Sequence, residues 1–269
     1  MTAAFTSALS VPEFQLVREA GFVPLRQVMG SCFQQIGYQW MPQNRGRGGW
    51  GTQQAGGIVE LEKQTAAWND ARQLAVERLA DEARAAGADA VVGVKLTRGG
   101  HDWAGGMIEF ILTGTAVRST RFDLGAEPMV STLSGQEFAA LFTHGFWPVG
   151  LVAGSTITYV LAGDNQQWRA GSVFSGLRNQ ELPDFTRGFY EARELAMSRI
   201  ERQAHAQHAH GIVGLRIDRS SRTYERKQNS VYTDLIITMH VLGTAIVELA
   251  HDRPPPAKNI AVDLRRGTR

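Results

Sequence analysis

Three side chains that can bind a metal ion share one face of a predicted helix late in the sequence. Glu201, His205 and His208 are spaced by four and three residues, and His210 follows just beyond them. Neutral imidazole nitrogens with a carboxylate suit Zn²⁺ or a similar divalent transition metal. The alternative is that these histidines are exposed and stabilise the negative C-terminal end of the helix. The spacing therefore predicts a metal site at Glu201, His205 and His208, confined to this part of the chain.

A glycine-rich segment at residues 46–51 fits the G-x-G-x-x-G pattern of a phosphate-binding loop. That motif requires a helix to begin at once, whereas residues 52–57 intervene, so we interpret it as a loop. Arg45, Arg47 and Trp50, with the basic C-terminal residues, have the chemistry to contact phosphates and stack on bases. A net charge of only +2 argues against nucleic acid as the partner.

Two pairs of hydroxyl residues recur at matching places and are candidates for hydrolytic chemistry. Ser31 matches Ser155, and Thr115 matches Thr244. No histidine or aspartate recurs beside either pair in the sequence, although a triad can be built from distant residues. We therefore expect these hydroxyls to bond backbone groups, with a spatially assembled triad as the alternative.

These candidates belong to a chain that repeats itself. Four blocks of sequence recur in the same order at offsets of 124, 121, 121 and 129 residues. The blocks begin at Gly21, Ala71, Val91 and Gly114, and they return at Gly145, Ala192, Ile212 and Gly243. A shared order and a nearly constant offset indicate a tandem duplication.

Each copy is predicted to contain a long strand, a helix and a hairpin. The expected elements are 22–40, 59–86, 90–96 and 107–117 in the first copy, and 146–161, 184–208, 211–217 and 235–246 in the second. The predicted fold is therefore α+β, with two tandem two-layer β-α-β-β modules, each a helix on a small, mainly antiparallel sheet. We expect module 1 at 1–124, module 2 at 125–252, and a proline-rich, basic arm at 253–269.

Two motifs in the first copy resemble the YbjQ-like family, also called the putative heavy-metal-binding domain family. They are GADAVVGV at 87–94 and GTAV at 114–117, and the second copy is a divergent version. The resemblance implies a two-layer β-α-β-β fold and assembly into pentameric rings. It implies no established activity.

Composition places the chain among ordinary globular proteins. One cysteine, Cys32, excludes an intramolecular disulfide and favours a reducing compartment. The N-terminal residues lack the pattern of a signal peptide, and no apolar run approaches the roughly 20 residues that span a bilayer. We therefore expect a cytoplasmic protein that does not associate with membranes.

The leading hypothesis is a non-enzymatic, cytoplasmic, ring-forming homo-oligomer. The alternatives are a metal-binding protein that uses the histidines of repeat 2, and a small-molecule-binding or hydrolytic protein with a pocket between subunits. Because five is odd, a ring of five modules cannot be made from whole two-module chains. The simplest expectation is a pentamer with two stacked rings, one of first modules and one of second modules.

Overall fold

The computed structural model describes residues 6–36, 57–101, 107–121, 127–163, 181–227 and 231–248. Module 1 contains α1 (Val11–Glu19), β1 (Phe22–Gln35), β2 (Ile58–Glu60), α2 (Glu62–Ala85), β3 (Ala90–His101) and β4 (Met107–Ser119). Module 2 contains β5 (Met129–Val130), α3 (Gly135–Thr143), β6 (Phe146–Val160), α4 (Pro183–Ala206), β7 (Gly211–Lys227) and β8 (Val231–Glu248). This architecture of helices and sheets in two modules confirms the predicted α+β fold class.

Two short helices, α1 and α3, are additional to the predicted β-α-β-β order. Each begins with a capping box, in which a serine and the glutamate three residues later bond the first turn reciprocally. The pairs are Ser10 with Glu13 and Ser134 with Glu137, exactly 124 residues apart. The duplication therefore begins earlier in each copy than the four repeated blocks indicate.

The main helix of each module packs closely on its first strand, and Gly30 marks the contact in module 1. A Cβ atom at Gly30 would lie only 2.0 Å from the carbonyl oxygen of Ala75 on α2. Gly30 pairs regularly with Leu112, and the irregularity of β1 falls between Pro24 and Arg26. The glycine permits close helix packing there.

The two modules exchange short strands. One sheet has the order β1-β4-β3-β5, and the other has the order β2-β6-β8-β7. Strand β5, from the segment before α3, thus extends the sheet of module 1 by pairing with β3. Strand β2, which precedes α2, extends the sheet of module 2 by pairing with β6. The contact between modules is therefore part of both sheets.

The contact uses different edges of two similar modules. Strands β1, β4 and β3 of module 1 correspond to β6, β8 and β7 of module 2, so the β3 side of one module meets the β6 side of the other. Such a contact is heterologous, like that between neighbours within one ring. The two modules of one chain therefore lie edge to edge, which differs from the predicted stacking in separate rings.

The largest difference in strand length between the modules is in the second hairpin, where the offset between the two copies rises from 121 to 129 residues. Strands β7 and β8 have 17 and 18 residues, whereas β3 and β4 have 12 and 13. Ser220 and Tyr224 belong to the strand itself and are exposed. Within the described ranges, none of the helices has the length and apolar character that crossing a membrane requires.

Candidate interface between the modules

One face of α2 covers the outer edge of β6. Beyond the three residue pairs formed by β2, the amide of Leu61 donates to the carbonyl of Ile157, and the amide of Ile157 donates to the Thr65 hydroxyl. Asn69 then both donates to and accepts from the backbone of Ser155. A strand edge that would otherwise pair with other chains is thereby satisfied by side chains at helical spacing.

Arg72 continues this row and is buried in the contact. Its guanidinium donates to the Ser155 hydroxyl at 2.6 Å and to the Ala153 carbonyl at 3.0 Å. Burial, with a smaller contribution from nearby Arg199, lowers the pKa of Arg72 to about 10. At neutral pH the side chain is therefore still a cation, and its burial is compensated by hydrogen bonds to neutral acceptors.

Arg199 of α4 forms an ion pair across the interface. Its guanidinium lies 2.7 Å from the Glu60 carboxylate at the end of β2, and both side chains are largely buried. The Glu60 carboxylate also accepts a hydrogen bond from Thr156. Removing one partner of such a pair would leave a partly buried charge without compensation.

His240 lies at the centre of the interface. Its ring stacks on Trp68 of α2, with centroids 4.6 Å apart, and its Nδ1 is 2.8 Å from the Ser155 hydroxyl oxygen. Its Nε2 lies 3.4 Å from the guanidinium of Arg98, which pairs with Asp218 at 2.9 Å. Side chains from both modules therefore hold the imidazole on each side.

The partners of His240 determine its protonation. Burial first, and then the positive charges of Arg98 and Arg72, lower the pKa of His240 well below its usual 6.5. Since arginine can only donate, Nε2 is the acceptor and Nδ1 carries the proton. A base that activates a serine must accept the hydroxyl proton, so this arrangement is not that of a catalytic Ser-His pair.

The segment that follows β5 forms the reciprocal half of the contact. Gly93 and Val94, at the bulge of β3, donate their amides to the carbonyls of Leu133 and Ser131. The same segment is fixed to its own module, since the amide of Thr132 donates to the Thr244 hydroxyl. It therefore bridges the two modules.

The repeated hydroxyls take structural roles in these contacts. Thr115 accepts from the amide of Ala8 in module 1, as Thr244 does from Thr132 in module 2. Ser155 is fully buried and bonded to Arg72, whereas the Ser31 carbonyl accepts from Arg78. The two threonine hydroxyls therefore bond backbone amides as expected, whereas the Ser155 hydroxyl bonds the side chains of Arg72 and His240, and the bond given for Ser31 is made by its carbonyl.

The structure only partly brings the predicted metal ligands together. Helix α4 ends at Ala206, so Glu201 and His205 lie on it, while His208 follows with a left-handed φ of 54°. The amide of Glu248 donates to Nδ1 of His210. Within the described parts of the chain, no three histidine, cysteine or acidic side chains are arranged to hold a metal ion. The metal site remains a prediction.

The other sequence candidates cannot be placed. The glycine-rich segment 46–51, Arg45 and the basic arm at 253–269 lie outside the described residues.

A cleft of about 670 Å³ lies between α2 of module 1 and the elements β6 and α4 of module 2. Its lining includes Arg72, Glu77, Trp147 and Gln203.

Sequence reasoning missed His240, Trp68 and Arg98. His240 has no histidine counterpart, because Ile111 occupies the matching position opposite Ser31 on β4. The pairing of β6 with β8 places His240 directly opposite Ser155, and because these two strands are not consecutive in the sequence, no local pattern indicates this contact.

Comparisons with known proteins agree with the duplication. A family model described as "Putative heavy-metal-binding" matches residues 52–120 and 148–248, once in each module. The chain is also similar to the encapsulin nanocompartment protein Rv1762c of Mycobacterium tuberculosis. The two are 35% identical over 250 residues, covering 90% of this chain and 86% of that protein.

Proposed function

This chain belongs to the YbjQ-like, putative heavy-metal-binding family, and from that premise we propose that it is a non-enzymatic module that assembles into closed rings. The observation that carries the proposal is the heterologous contact between its modules. A contact of this type leaves one unmatched copy of each edge at opposite ends of the chain. Repetition of the contact between chains then produces a ring or a filament.

The two unmatched edges are β1 at one end and β7 at the other, and both carry exposed apolar side chains. Nine large apolar side chains are exposed in the described part of the chain, and six of them lie on these strands. They are Val23, Met29 and Phe33 on β1, and Leu215, Ile217 and Tyr224 on β7. Exposed apolar groups at a strand edge favour association with another chain.

The matching strands inside the chain support this interpretation. Strand β1 alternates between buried and exposed positions, whereas its counterpart β6 is buried at every position from Val152 to Val160. Met29 is 52% exposed, and its counterpart Ala153 is 2% exposed. The difference arises because module 1 covers β6, so a second chain is the natural occupant of β1.

Light scattering coupled to size exclusion tests the proposal. A pentamer, the number of chains predicted from the sequence, would total about 148 kDa from 29.5 kDa each, while three chains would total about 89 kDa. Because each chain contributes two neighbouring modules, five chains would form a ring of ten modules and three chains a ring of six. A species of 29.5 kDa at micromolar concentration would refute ring formation.

The relative's name concerns a nanocompartment, and we propose that the ring of this chain associates with an encapsulin shell. The 35% identity extends over 90% of the chain, so both modules share the similarity. Co-expression with an encapsulin shell protein, followed by density-gradient sedimentation, is the test. Migration of this chain apart from the shell fractions would contradict the association.

We place the assembly in the cytoplasm, consistent with the single, free Cys32.

A further inference from the structure

We infer that a second copy of this chain binds the β1 edge through the same side chains that join the two modules, an inference that rests on the proposed ring assembly. Arg193 of one chain donates to the Ser31 hydroxyl and the Met29 carbonyl of the next chain. Glu181 of the first chain pairs with Arg78 of the next. The occupant of the exposed β1 edge is thus α4 of a neighbouring copy.

The covering face of α2 is repeated on α4. Glu60, Leu61, Thr65 and Arg72 all contact module 2. Identical residues return 121 positions later as Glu181, Leu182, Thr186 and Arg193. Both helices have 24 residues, and each follows its leucine directly. Module 2 therefore carries the covering face that module 1 uses.

The receiving side is repeated as well. Ser155 and Arg199, which bind Arg72 and Glu60, correspond to Ser31 and Arg78 in module 1. Arg78 lies beside the β1 edge, since its guanidinium donates to the Ser31 carbonyl at 2.5 Å. The cation needed for Glu181 is therefore already next to the serine needed for Arg193.

The side chains of α4 that we assign to the contact between chains are exposed in the single chain. Arg72 is 4% exposed, whereas Arg193 and Glu181 are exposed and, among the described residues, form no hydrogen bond or ion pair. The match is incomplete at two positions of this face, where Trp68 and Asn69 are replaced by Phe189 and Tyr190. Tyr190 is 69% exposed, and a large exposed side chain of this kind favours contact with another chain.

The opposite end of the chain carries the reciprocal half. Ser7 and Leu9 correspond to Ser131 and Leu133, whose carbonyls accept from the bulge of β3. The matching bulge of β7 falls between Val213 and Arg216. Residues 7–9 of one chain therefore lie on the β7 bulge of the preceding chain, with Leu215 covered as Val94 is inside the chain.

Charge reversal across the contact tests the inference, with mass measured by light scattering. Glu181→Arg and Arg78→Glu, each alone, are expected to shift the mass from that of the assembly to 29.5 kDa at micromolar concentration. Combining the two restores the opposite charges, and the double variant is expected to recover the assembly. Arg193→Glu is expected to dissociate it as well.

Glu191→Arg is the matched control, because Glu191 is exposed on α4 and lies half a turn around the helix from Leu182. The assembly formed by the Glu191→Arg variant should have the same mass as that of the unmodified chain. If the unmodified chain assembles and Glu181→Arg and Arg193→Glu keep the full mass, the inferred contact is wrong and ring formation stands. If the unmodified chain is a monomer, both are wrong. Circular dichroism of each variant establishes that it is folded.

Discussion

Lowering the pH from 7.5 to 5 is expected to reduce the stability of this chain through His240. The buried imidazole is neutral in the folded state, because burial and the charges of Arg98 and Arg72 hold its pKa well below 6.5. Asp218, which pairs with His240 across strands β7 and β8, forms an ion pair with Arg98. Unfolding releases His240 to water, where its pKa returns to about 6.5 and it binds a proton.

The size of the effect follows from this difference in proton binding. The unfolded chain binds more protons below pH 6.5, so stability falls as the pH falls through that value and continues to fall until the folded pKa is reached. The unfolded pKa of about 6.5 sets the upper limit of the effect: an imidazole that stays neutral in the folded state loses at most about 1.4 kcal/mol per pH unit below that value, or about 2 kcal/mol at pH 5. At pH 7.5 the loss is below about 0.1 kcal/mol.

Urea unfolding at the two pH values, for the unmodified chain and for His240→Gln, isolates this contribution. Glutamine is neutral throughout and retains an amide for the hydroxyl of Ser155, while losing the stack on Trp68 at both pH values. The loss between pH 7.5 and 5 should be larger for the unmodified chain, by up to about 2 kcal/mol. Carboxylates that titrate near pH 5 affect both proteins and cancel. Equal losses in the two proteins would refute the reasoning.

Three further predictions concern other residues. Arg72→Ala should lower the free energy of unfolding by about 2–4 kcal/mol, because it leaves buried acceptors without donors. Arg193→Ala, measured on the dissociated chain, should change the free energy of unfolding by no more than about 0.5 kcal/mol. Urea titration measures both values. If the chain takes up stoichiometric Zn²⁺ or Ni²⁺ in calorimetry, His205→Ala with His208→Ala should abolish the uptake, and unchanged uptake would exclude that site. Gly30→Ala should destabilise by at least about 2 kcal/mol in thermal unfolding, since the new Cβ would meet the backbone of α2.

Much of each module could be predicted, because hydrophobic spacing and duplication report local structure. The predicted helix at 59–86 is observed as Glu62–Ala85, and the one at 184–208 as Pro183–Ala206. Helices α1 and α3 were missed although their capping boxes recur, since nine residues give a weak periodic signal. Strands β2 and β5 have three and two residues and pair with the other module, which no local pattern indicates.

The interface was harder to predict than the fold, because its side chains are far apart in the sequence. Arg72 and Ser155 were both recognised as repeated residues, but their hydrogen bond spans 83 positions. Sequence reasoning gave more weight to Glu201, His205 and His208, whose short spacing is visible without a structure. Side chains spaced by three or four residues are easily recognised in a sequence, whereas contacts between modules become visible only after both sheets are assembled.

The strands exchanged between modules give the assembly two kinds of joint. The joint between β2 and β6 connects parts of one chain, so its effective concentration is fixed by the linker and it persists at any dilution. In the proposed ring, the joint at β1 is bimolecular and opens when the protein is diluted. Disassembly would therefore release whole chains and never single modules. Because His240 faces Ser155 while Ile111 faces Ser31, only every second joint, the permanent kind, would contain the titratable imidazole.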